Sequence, residues 1–230
     1  MISRRFFTRP ITGFLNYIGY NLVPIKTFSR FYDEDDPEMV NDLTWCKQYS
    51  MTTPERLVSL HDAVQYVIKN KIPGSIVECG VWKGGSMAMV AKTLIRMQEQ
   101  ERDLYLFDTF AGMSQPTSED IRWDGQSAQP LWQENVQSEK TNAFCYASLE
   151  EVKNVLDKTK YNPTKIHYVQ GKVEDTLPSH APQTIALLRL DTDWYQSTRH
   201  ELQHLFSRLS IGGVLIIDDY GCWKGAKKSC

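Results

Sequence analysis

The feature that most constrains the fold is a glycine-rich turn between an apolar segment and a helix-forming segment. The apolar segment Ser75–Cys79 is followed by Gly80, and two more glycines, Gly84 and Gly85, precede helix-forming residues at 87–96. A strand, a glycine turn and a helix in this order form the first unit of an α/β sheet, in which ligands bind where the strands end. The backbone N–H groups at the start of the helix would be hydrogen-bond donors to such a ligand.

The spacing of the glycines indicates the kind of ligand. A dinucleotide-binding turn would need a glycine at position 82, but Trp82 stands there, and its side chain would block the close approach of a pyrophosphate. The turn instead has the form Glu-x-Gly-x-x-x-Gly-Gly, which suits a ligand with an adenosine and no phosphates. The pattern therefore points to S-adenosylmethionine. The cofactor-binding candidates in this turn are Glu78, Gly80, Gly84, Gly85 and Ser86.

Length and composition favour one α/β domain with an N-terminal extension. The chain has 230 residues, 41% of them hydrophobic, which is enough for a buried core. We place the extension at residues 1–48 and the domain at residues 49–230. The formal net charge of −2 gives no bulk reason to expect nucleic-acid binding. Five irregularly spaced cysteines match neither metal nor disulfide spacing, so we expect a reducing, cytoplasmic compartment.

Residues 1–32 contain five basic residues, no acidic residue and many large apolar side chains. A helix that packs on the domain or on another subunit is the main expectation, and a membrane-surface helix and an organelle transit peptide are the alternatives. No apolar core with a small-residue cleavage site follows, which disfavours a secretory signal. The longest apolar runs are far shorter than the roughly 20 residues that cross a bilayer, so we do not expect a membrane-spanning helix. A membrane-associated protein is the third possibility, which liposome binding by residues 1–32 would test.

Four later apolar segments complete a predicted sheet. They lie at 104–107, 165–169, 184–190 and 214–217, and Gly212 and Gly213 are expected to turn the chain into the last one. Near-continuous apolar strands that alternate with helices indicate a parallel sheet covered on both faces, so the predicted fold is a Rossmann-like, doubly wound α/β domain. The irregular stretch 109–143 is expected to form a lid or binding segment, with disorder as the alternative.

Two further positions are candidates for cofactor binding. Asp108 ends the second predicted strand, about 20 residues beyond the glycine turn, where an acid can accept hydrogen bonds from both ribose hydroxyls. The alternative for Asp108 is a helix cap or turn acid. Glu174 or Asp175 could meet the adenine amino group, and a cap for the short turn that follows is an equally open alternative.

Acidic residues follow several of the predicted strands. They are Asp108, Asp191, Asp193, Asp218 and Asp219. Because the carboxyl ends of parallel strands share one crevice, these carboxylates should gather there and repel each other unless a cation or protons intervene. Hard oxygen ligands without histidine or cysteine favour Mg²⁺, with Ca²⁺ or Mn²⁺ as alternatives. Asp193 and Asp219 could instead cap helices, whereas Asp191 together with the pair Asp218 and Asp219 favours a metal site.

Four motifs together resemble the macrocin-type (TylF/MycF) O-methyltransferase family. They are ECGVWKGGS (78–86), FDTFAGM (107–113), LRLDTDWYQST (188–198) and GGVLIIDDY (212–220), and the resemblance runs from about Tyr49 to the end. It implies a class I methyltransferase fold, S-adenosylmethionine, a Mg²⁺ ion and a sugar hydroxyl as acceptor. By motif position it makes Asp191, Asp218 and Asp219 metal ligands, and Asp191 or Asp193 the catalytic base. The family fold continues with a helix and an antiparallel hairpin, so we expect a C-terminally truncated domain with an uncovered edge strand.

The sequence therefore predicts an S-adenosylmethionine-dependent, Mg²⁺-assisted O-methyltransferase that acts on a hydroxyl of a sugar or another small-molecule natural product. A catechol-type methyltransferase would use the same acids, and a non-catalytic cofactor-binding remnant is the alternative from another class of protein. The expected partner is the hydroxyl acceptor. The apolar N-terminal residues and the uncovered edge also favour self-association into a homo-oligomer.

Overall fold

The computed structural model of the chain describes residues 36–138 and 141–230. Residues Asn41–Cys230 form one compact unit. The predictions for residues 1–32 lie outside the described residues, and the boundary near residue 48 stays a prediction. Among the described helices, none combines the length and the hydrophobicity needed to cross a bilayer.

Two helices precede the sheet, α1 (Pro37–Lys47) and α2 (Pro54–Lys69). The start of α2 is the one that the sequence predicts, because the Thr53 side chain accepts a hydrogen bond from the backbone N–H of Arg56 and proline occupies the first helical position. The buried face of α2 is its periodic apolar set, which includes Leu57, Leu60, Val64 and Val67.

Strands and helices then alternate along the chain. They are β1 (Ser75–Cys79), α3 (Gly85–Arg96), β2 (Leu104–Asp108), α4 (Ala128–Glu134), α5 (Leu149–Thr159), β3 (Ile166–Gln170), α6 (Val173–Thr176), β4 (Ile185–Leu190), α7 (Tyr195–Leu205), β5 (Leu209–Ile217) and α8 (Lys224–Ser229). The order of strands in the sheet is β3-β2-β1-β4-β5, and every pair is parallel. The predicted doubly wound α/β fold is confirmed. The strand order reverses between β1 and β4, which is where such sheets open a crevice for ligands.

The core of the unit lies around the central strands. All six residues of β4 are buried, and Val77, Cys79 and Phe107 pack in the same cluster as Leu188 and Leu190. Strands that are covered on both faces need apolar side chains on both faces, which explains the continuous apolar runs in the sequence. All five cysteines are free, and Cys79 is buried at the end of β1.

The last strand differs from its prediction. Gly212 and Gly213 lie inside β5 instead of forming a turn before it, and the register with β4 shifts between Ile185 and Leu187. Gly212 has φ +79°, a value that glycine adopts without strain and that fits an irregularity in the strand. Among the described strands β5 pairs only with β4, and Ile211 is fully exposed at this edge of the sheet.

The stretch predicted as a lid carries structure in its described part. It includes α4 and two antiparallel bridges. Two indole N–H groups hold it by donating to backbone carbonyls: Trp132 to Met113 and Trp194 to Ser114, both at 2.9 Å. These contacts favour an ordered binding segment over the disorder alternative.

Candidate functional site

A cavity of about 340 Å³ lies at the carboxyl ends of the strands. Its wall takes residues from every strand end: Gly80, Val81 and Trp82 after β1, Asp108 and Thr109 at β2, Gly171 and Lys172 after β3, Asp191 and Asp193 after β4, and Asp218 and Asp219 after β5. The part of the predicted lid at Gly112, Met113 and Ser114 lines the same cavity. The strand-end crevice therefore has the position that the sequence analysis gave it.

Three acids at the ends of β4 and β5 come together in this cavity. One carboxylate oxygen from each of Asp191, Asp218 and Asp219 lies within 4.8 Å of the other two. We call these three residues the acid trio. An all-oxygen donor set of this kind suits a hard divalent cation such as Mg²⁺, so the residues present fit the cation that the sequence analysis expects.

Asp193 lies beside the acid trio and is fixed by two contacts. Its Oδ1 accepts a hydrogen bond from the indole Nε1 of Trp223 at 2.7 Å, and its backbone N–H donates to Oδ2 of Asp219 at 3.2 Å. Its φ of +63° is rare for a residue with a side chain. Outliers of this kind cluster at functional sites, where the surrounding structure has to hold them in place.

The crowding of these acids changes their affinity for protons. Burial raises the pKa of Asp191 and that of Asp193 to about 7, and it raises the pKa of Asp219 to about 8. Neighbouring carboxylates add to each rise, while the Arg189 guanidinium opposes the rise at Asp191 and Asp219. The cluster therefore needs protons or a cation to balance its charge near neutral pH.

Arg189 is a site residue that the sequence analysis missed. Its Nη1 donates to Oε1 of Glu78 at 2.6 Å and to Oδ2 of Asp191 at 2.7 Å, and its Nη2 lies 3.0 Å from Oδ1 of Asp218. Only 4% of the Arg189 side chain is exposed. One buried guanidinium thus links the ends of β1, β4 and β5.

Strand register explains why these charged groups share one face of the sheet. Glu78 is paired with Arg189 across β1 and β4, and Arg189 is paired with Ile216 across β4 and β5. Asp191 lies two residues beyond Arg189, and Asp218 lies two residues beyond Ile216. Because side chains alternate between faces along a strand, all four charged groups point the same way. The alternation is visible in the sequence, but the pairing of the strands is not.

Glu78 lies in this buried network and is not among the residues that line the cavity. Its side chain is 1% exposed, and burial raises its pKa to about 8, with the Arg189 guanidinium opposing the rise. Glu78 is predicted from the sequence to bind the cofactor. The structure gives it a direct partner in Arg189, and contact with a cofactor stays a prediction.

The glycines of the turn are required by the packing of the chain against itself. A Cβ on Gly80, where φ is +83°, would lie 2.0 Å from the backbone oxygen of Asp191, and a Cβ on Gly85 would lie 2.5 Å from the backbone of Tyr49. At Gly84, where φ is +86°, the clash is with Leu156 at 2.9 Å. The packing of the chain alone therefore requires glycine at these three positions, and their contact with a cofactor stays a prediction. Gly80 lines the cavity, whereas Gly84 and Gly85 do not.

Asp108 lines the cavity and also holds the glycine turn. Its Oδ2 accepts hydrogen bonds from the backbone N–H groups of Val81 and Trp82 at 2.6 and 3.1 Å, and its Oδ1 accepts from Phe110 at 2.8 Å. Burial raises its pKa, and these three N–H groups oppose the rise. Asp108 therefore stabilises the turn, as the alternative interpretation expected, and it also lies at the cavity wall. Its contact with a ribose stays a prediction.

The remaining cofactor candidates differ in whether they line the cavity. Ser86 is buried and lines the cavity. Glu174 lines it too, and its Oε1 accepts a hydrogen bond from the Ser197 hydroxyl at 2.8 Å. Asp175 does not line it, so of the two acids considered for the adenine group Glu174 is the one at the cavity.

A second arginine reaches the acid trio from α2. Nη1 of Arg56 lies 2.8 Å from Oδ2 of Asp218, and the Thr52 hydroxyl lies 3.5 Å from both oxygens of that carboxylate. Both Thr52 and Arg56 line the cavity. No local sequence pattern marks this contact, because α2 precedes the first strand and meets β5 only through the fold.

A family model described as macrocin-O-methyltransferase (TylF) matches residues 21–230. The 8-demethyl-8-(2,3-dimethoxy-alpha-L-rhamnosyl)-tetracenomycin-C 4'-O-methyltransferase of Streptomyces olivaceus is 30% identical over 207 residues, which are 90% of this chain and 76% of that protein. Demethyldecarbamoylnovobiocin O-methyltransferase of Streptomyces niveus is 30% identical, and the match covers 75% of this chain and 62% of the relative. Mycinamicin III 3''-O-methyltransferase of Micromonospora griseorubida is 28% identical, and the match covers 75% of this chain and 65% of the relative.

Two solved structures have a similar fold. The O-methyltransferase NovP has a TM-score of 0.69 and 29% sequence identity, and the match covers 79% of this chain and 71% of that one. CalS11, a calicheamicin methyltransferase, has a TM-score of 0.57 at 19% identity, with 92% of this chain and 88% of that one covered. At this identity the likeness to CalS11 concerns the fold alone.

Proposed function

This chain belongs to the macrocin O-methyltransferase (TylF) family, and we propose that it transfers a methyl group from S-adenosylmethionine to a hydroxyl of a sugar-like natural product with the help of Mg²⁺. The predicted family is confirmed, and O-methyltransferase is the enzyme class that the names of the family and the relatives carry. One observation carries the proposal most directly. The acid trio lies in the same cavity as the glycine turn of β1.

The cavity wall has two parts with different chemistry. Gly80, Ser86 and Asp108 supply backbone groups, a hydroxyl and a carboxylate at the ends of β1 and β2, where we place the cofactor. The acid trio lies at the ends of β4 and β5, where we place the acceptor. S-adenosylmethionine supplies an electrophilic methyl group on its sulfonium. Binding both molecules in one cavity converts the transfer into a step between oriented neighbours.

Asp193 is the proposed catalytic base. Asp191 was the other candidate, but its Oδ2 is engaged by Arg189 and its carboxylate belongs to the acid trio. Asp193 stands beside the trio, its orientation is fixed by Trp223, and burial raises its pKa to about 7, which suits a group that accepts a proton near neutral pH. Mg²⁺ on the acid trio would hold the acceptor hydroxyl and lower its pKa.

The acceptor class is inferred from the relatives. One relative is named for the 4'-O-methylation of a rhamnosyl tetracenomycin C derivative, and the other two are named for the O-methylation of demethyldecarbamoylnovobiocin and of mycinamicin III. We therefore propose a hydroxyl on a deoxysugar-like ring as the acceptor.

Cofactor binding is the first test. S-adenosylmethionine is titrated calorimetrically into the purified chain, once with Mg²⁺ and once with EDTA. We expect saturable binding at a single site in both conditions, because the cofactor residues and the acid trio lie in different parts of the wall. A folded chain that does not bind S-adenosylmethionine would overturn the proposal and would favour the remnant alternative.

The metal site is tested with Asp191→Asn. We expect this variant to bind S-adenosylmethionine as the wild type does and to lose Mg²⁺-dependent methylation of rhamnosides, with catechol as the comparison acceptor. Asp103→Asn is the control, because Asp103 pairs with His167 at the amino end of β2, opposite the cavity. Full activity of Asp191→Asn would overturn the metal assignment.

A further inference from the structure

Both oxygens of the Asp218 carboxylate already face guanidinium groups. Oδ1 lies 3.0 Å from Nη2 of Arg189, and Oδ2 lies 2.8 Å from Nη1 of Arg56. A divalent cation shared by the acid trio needs an oxygen of Asp218, and a cation at that oxygen repels the guanidinium beside it. Metal binding therefore weakens at least one of the two arginine contacts.

The two arginines differ in how firmly they are held. The Arg189 side chain is 4% exposed and has Glu78 and Asp191 as further partners, so its departure would leave a buried carboxylate without a counter-ion. The Arg56 side chain is 48% exposed. In the part of the chain that the structure describes, Asp218 is the acid with which Arg56 forms an ion pair. Arg56 can turn into solvent at little cost, whereas Arg189 cannot.

The position of Arg56 in its helix also indicates that Arg56 is held less firmly than Arg189. Its backbone N–H donates to the Thr53 cap at 3.4 Å, so Arg56 lies in the first turn of α2. The amino end of a helix carries partial positive charge, which favours an acid such as Glu55 and disfavours a cation. The helix dipole of α2 therefore does not stabilise the positive charge of Arg56, and the ion pair with Asp218 is the contact that does.

From these observations, and resting on the metal site of the proposed function, we propose that Arg56 is an exchangeable counter-ion. Its guanidinium neutralises Asp218 while the acid trio holds no cation, and it leaves Asp218 when a divalent cation binds. Arg189 stays in place in both states. Arg56 is thus a positioning residue for the trio and not a ligand of the cation.

The proposal predicts two effects of opposite sign in Arg56→Gln. Without a divalent cation, the variant should melt at a lower temperature than the wild type, because Asp218 has lost a counter-ion among repelling carboxylates. The cation itself should bind more tightly, by about fivefold, since an ion pair worth about 1 kcal/mol no longer has to be broken. A residue with a merely structural role would lower the melting temperature without improving metal affinity.

The test is calorimetric titration of Mg²⁺, and separately of Mn²⁺, into the full chain without cofactor or acceptor, together with melting curves in EDTA. Arg56→Lys keeps the charge and should bind the metals nearly as the wild type does. Arg199→Gln removes an exposed arginine of α7 whose guanidinium contacts Tyr195, and it should leave metal affinity unchanged. Tighter binding in Arg56→Gln alone supports the exchange.

Other outcomes overturn the proposal in distinguishable ways. Equal or weaker metal binding by Arg56→Gln, or an equal gain in Arg199→Gln or Arg56→Lys, rules out a specific exchange at Asp218. If neither the wild type nor Arg56→Gln binds a divalent cation while both bind S-adenosylmethionine, the exchange and the metal site are overturned and methyl transfer stands. Loss of S-adenosylmethionine binding by the wild type would overturn the proposed function itself.

Discussion

Glu201 of α7 is expected to make the folded chain less stable as the pH rises. Its side chain is fully buried, and neither carboxyl oxygen has a hydrogen-bond partner among the described residues. Burial raises its pKa well above the ordinary value, and the neighbouring carboxylates Glu174, Asp191 and Asp219 add to the rise. Glu201 therefore keeps its proton in the folded chain at pH values where an exposed glutamate is ionised.

The size of the effect follows from proton linkage. In the unfolded chain the Glu201 carboxyl releases its proton near its ordinary pKa of about 4.3. Above that pH and below the folded pKa, the folded state binds one more proton than the unfolded state, so each pH unit lowers the free energy of unfolding by about 1.4 kcal/mol. Glu201→Gln cannot release a proton. Its stability relative to the wild type should therefore increase by this slope as the pH rises.

Urea unfolding from about pH 5 to about pH 7 measures the difference between the two proteins, in which the contributions of other buried acids cancel. Glu201→Met provides an internal control, because it also lacks the proton and additionally removes the unpartnered polar atoms. The difference between the Met and Gln variants should not depend on pH. A constant difference between wild type and Glu201→Gln across this range would refute the assignment of a neutral, buried Glu201.

Three further predictions concern the glycine turn, a helix cap and the segment over the cavity. Gly80→Ala should destabilise the chain by more than about 2 kcal/mol in urea unfolding, because the new side chain adds a backbone clash to the strain of a left-handed conformation. Gly125→Ala introduces the same strain without a clash and should destabilise the chain less. Equal losses of stability in the two variants would contradict the role of close packing. Ser148→Ala removes the capping box of α5 and should cost about 1 kcal/mol, and an unchanged denaturation midpoint would argue against it. Trp194→Phe loses the hydrogen bond to Ser114 and should speed amide exchange in that segment; unchanged protection would show that other contacts hold it.

The order of elements could be predicted from sequence because each signal is local. The strands and helices are predicted, with small errors at their ends, from apolar runs, the Thr53 cap and the glycine turn. The error at β5 arose because a glycine pair marks a turn and a strand irregularity equally well, and only pairing with β4 decides between them.

The site could be predicted only as far as its residues follow strands directly. Asp191, Asp218 and Asp219 were found because parallel strands end at one edge of the sheet. Arg189 and Glu78 were not recognised as partners because their pairing joins positions 111 residues apart and depends on strand register. The close packing that requires glycine in the turn could not be predicted either, because the atoms that a Cβ would meet belong to segments distant in the sequence.

The shared face of the charged residues makes the site sensitive to errors in sheet assembly. β5 contains two glycines and no charged residue, so its register along β4 depends on the apolar side chains Leu209, Leu215 and Ile217 that pack against the core. A slip of one residue would put Ile217 or Asp219 where Asp218 now meets Arg189, and the acid trio would be lost. A cation that binds the trio therefore binds only the correctly aligned sheet and raises its population by mass action. Cation binding thus favours the form of the chain in which β5 is correctly paired with β4.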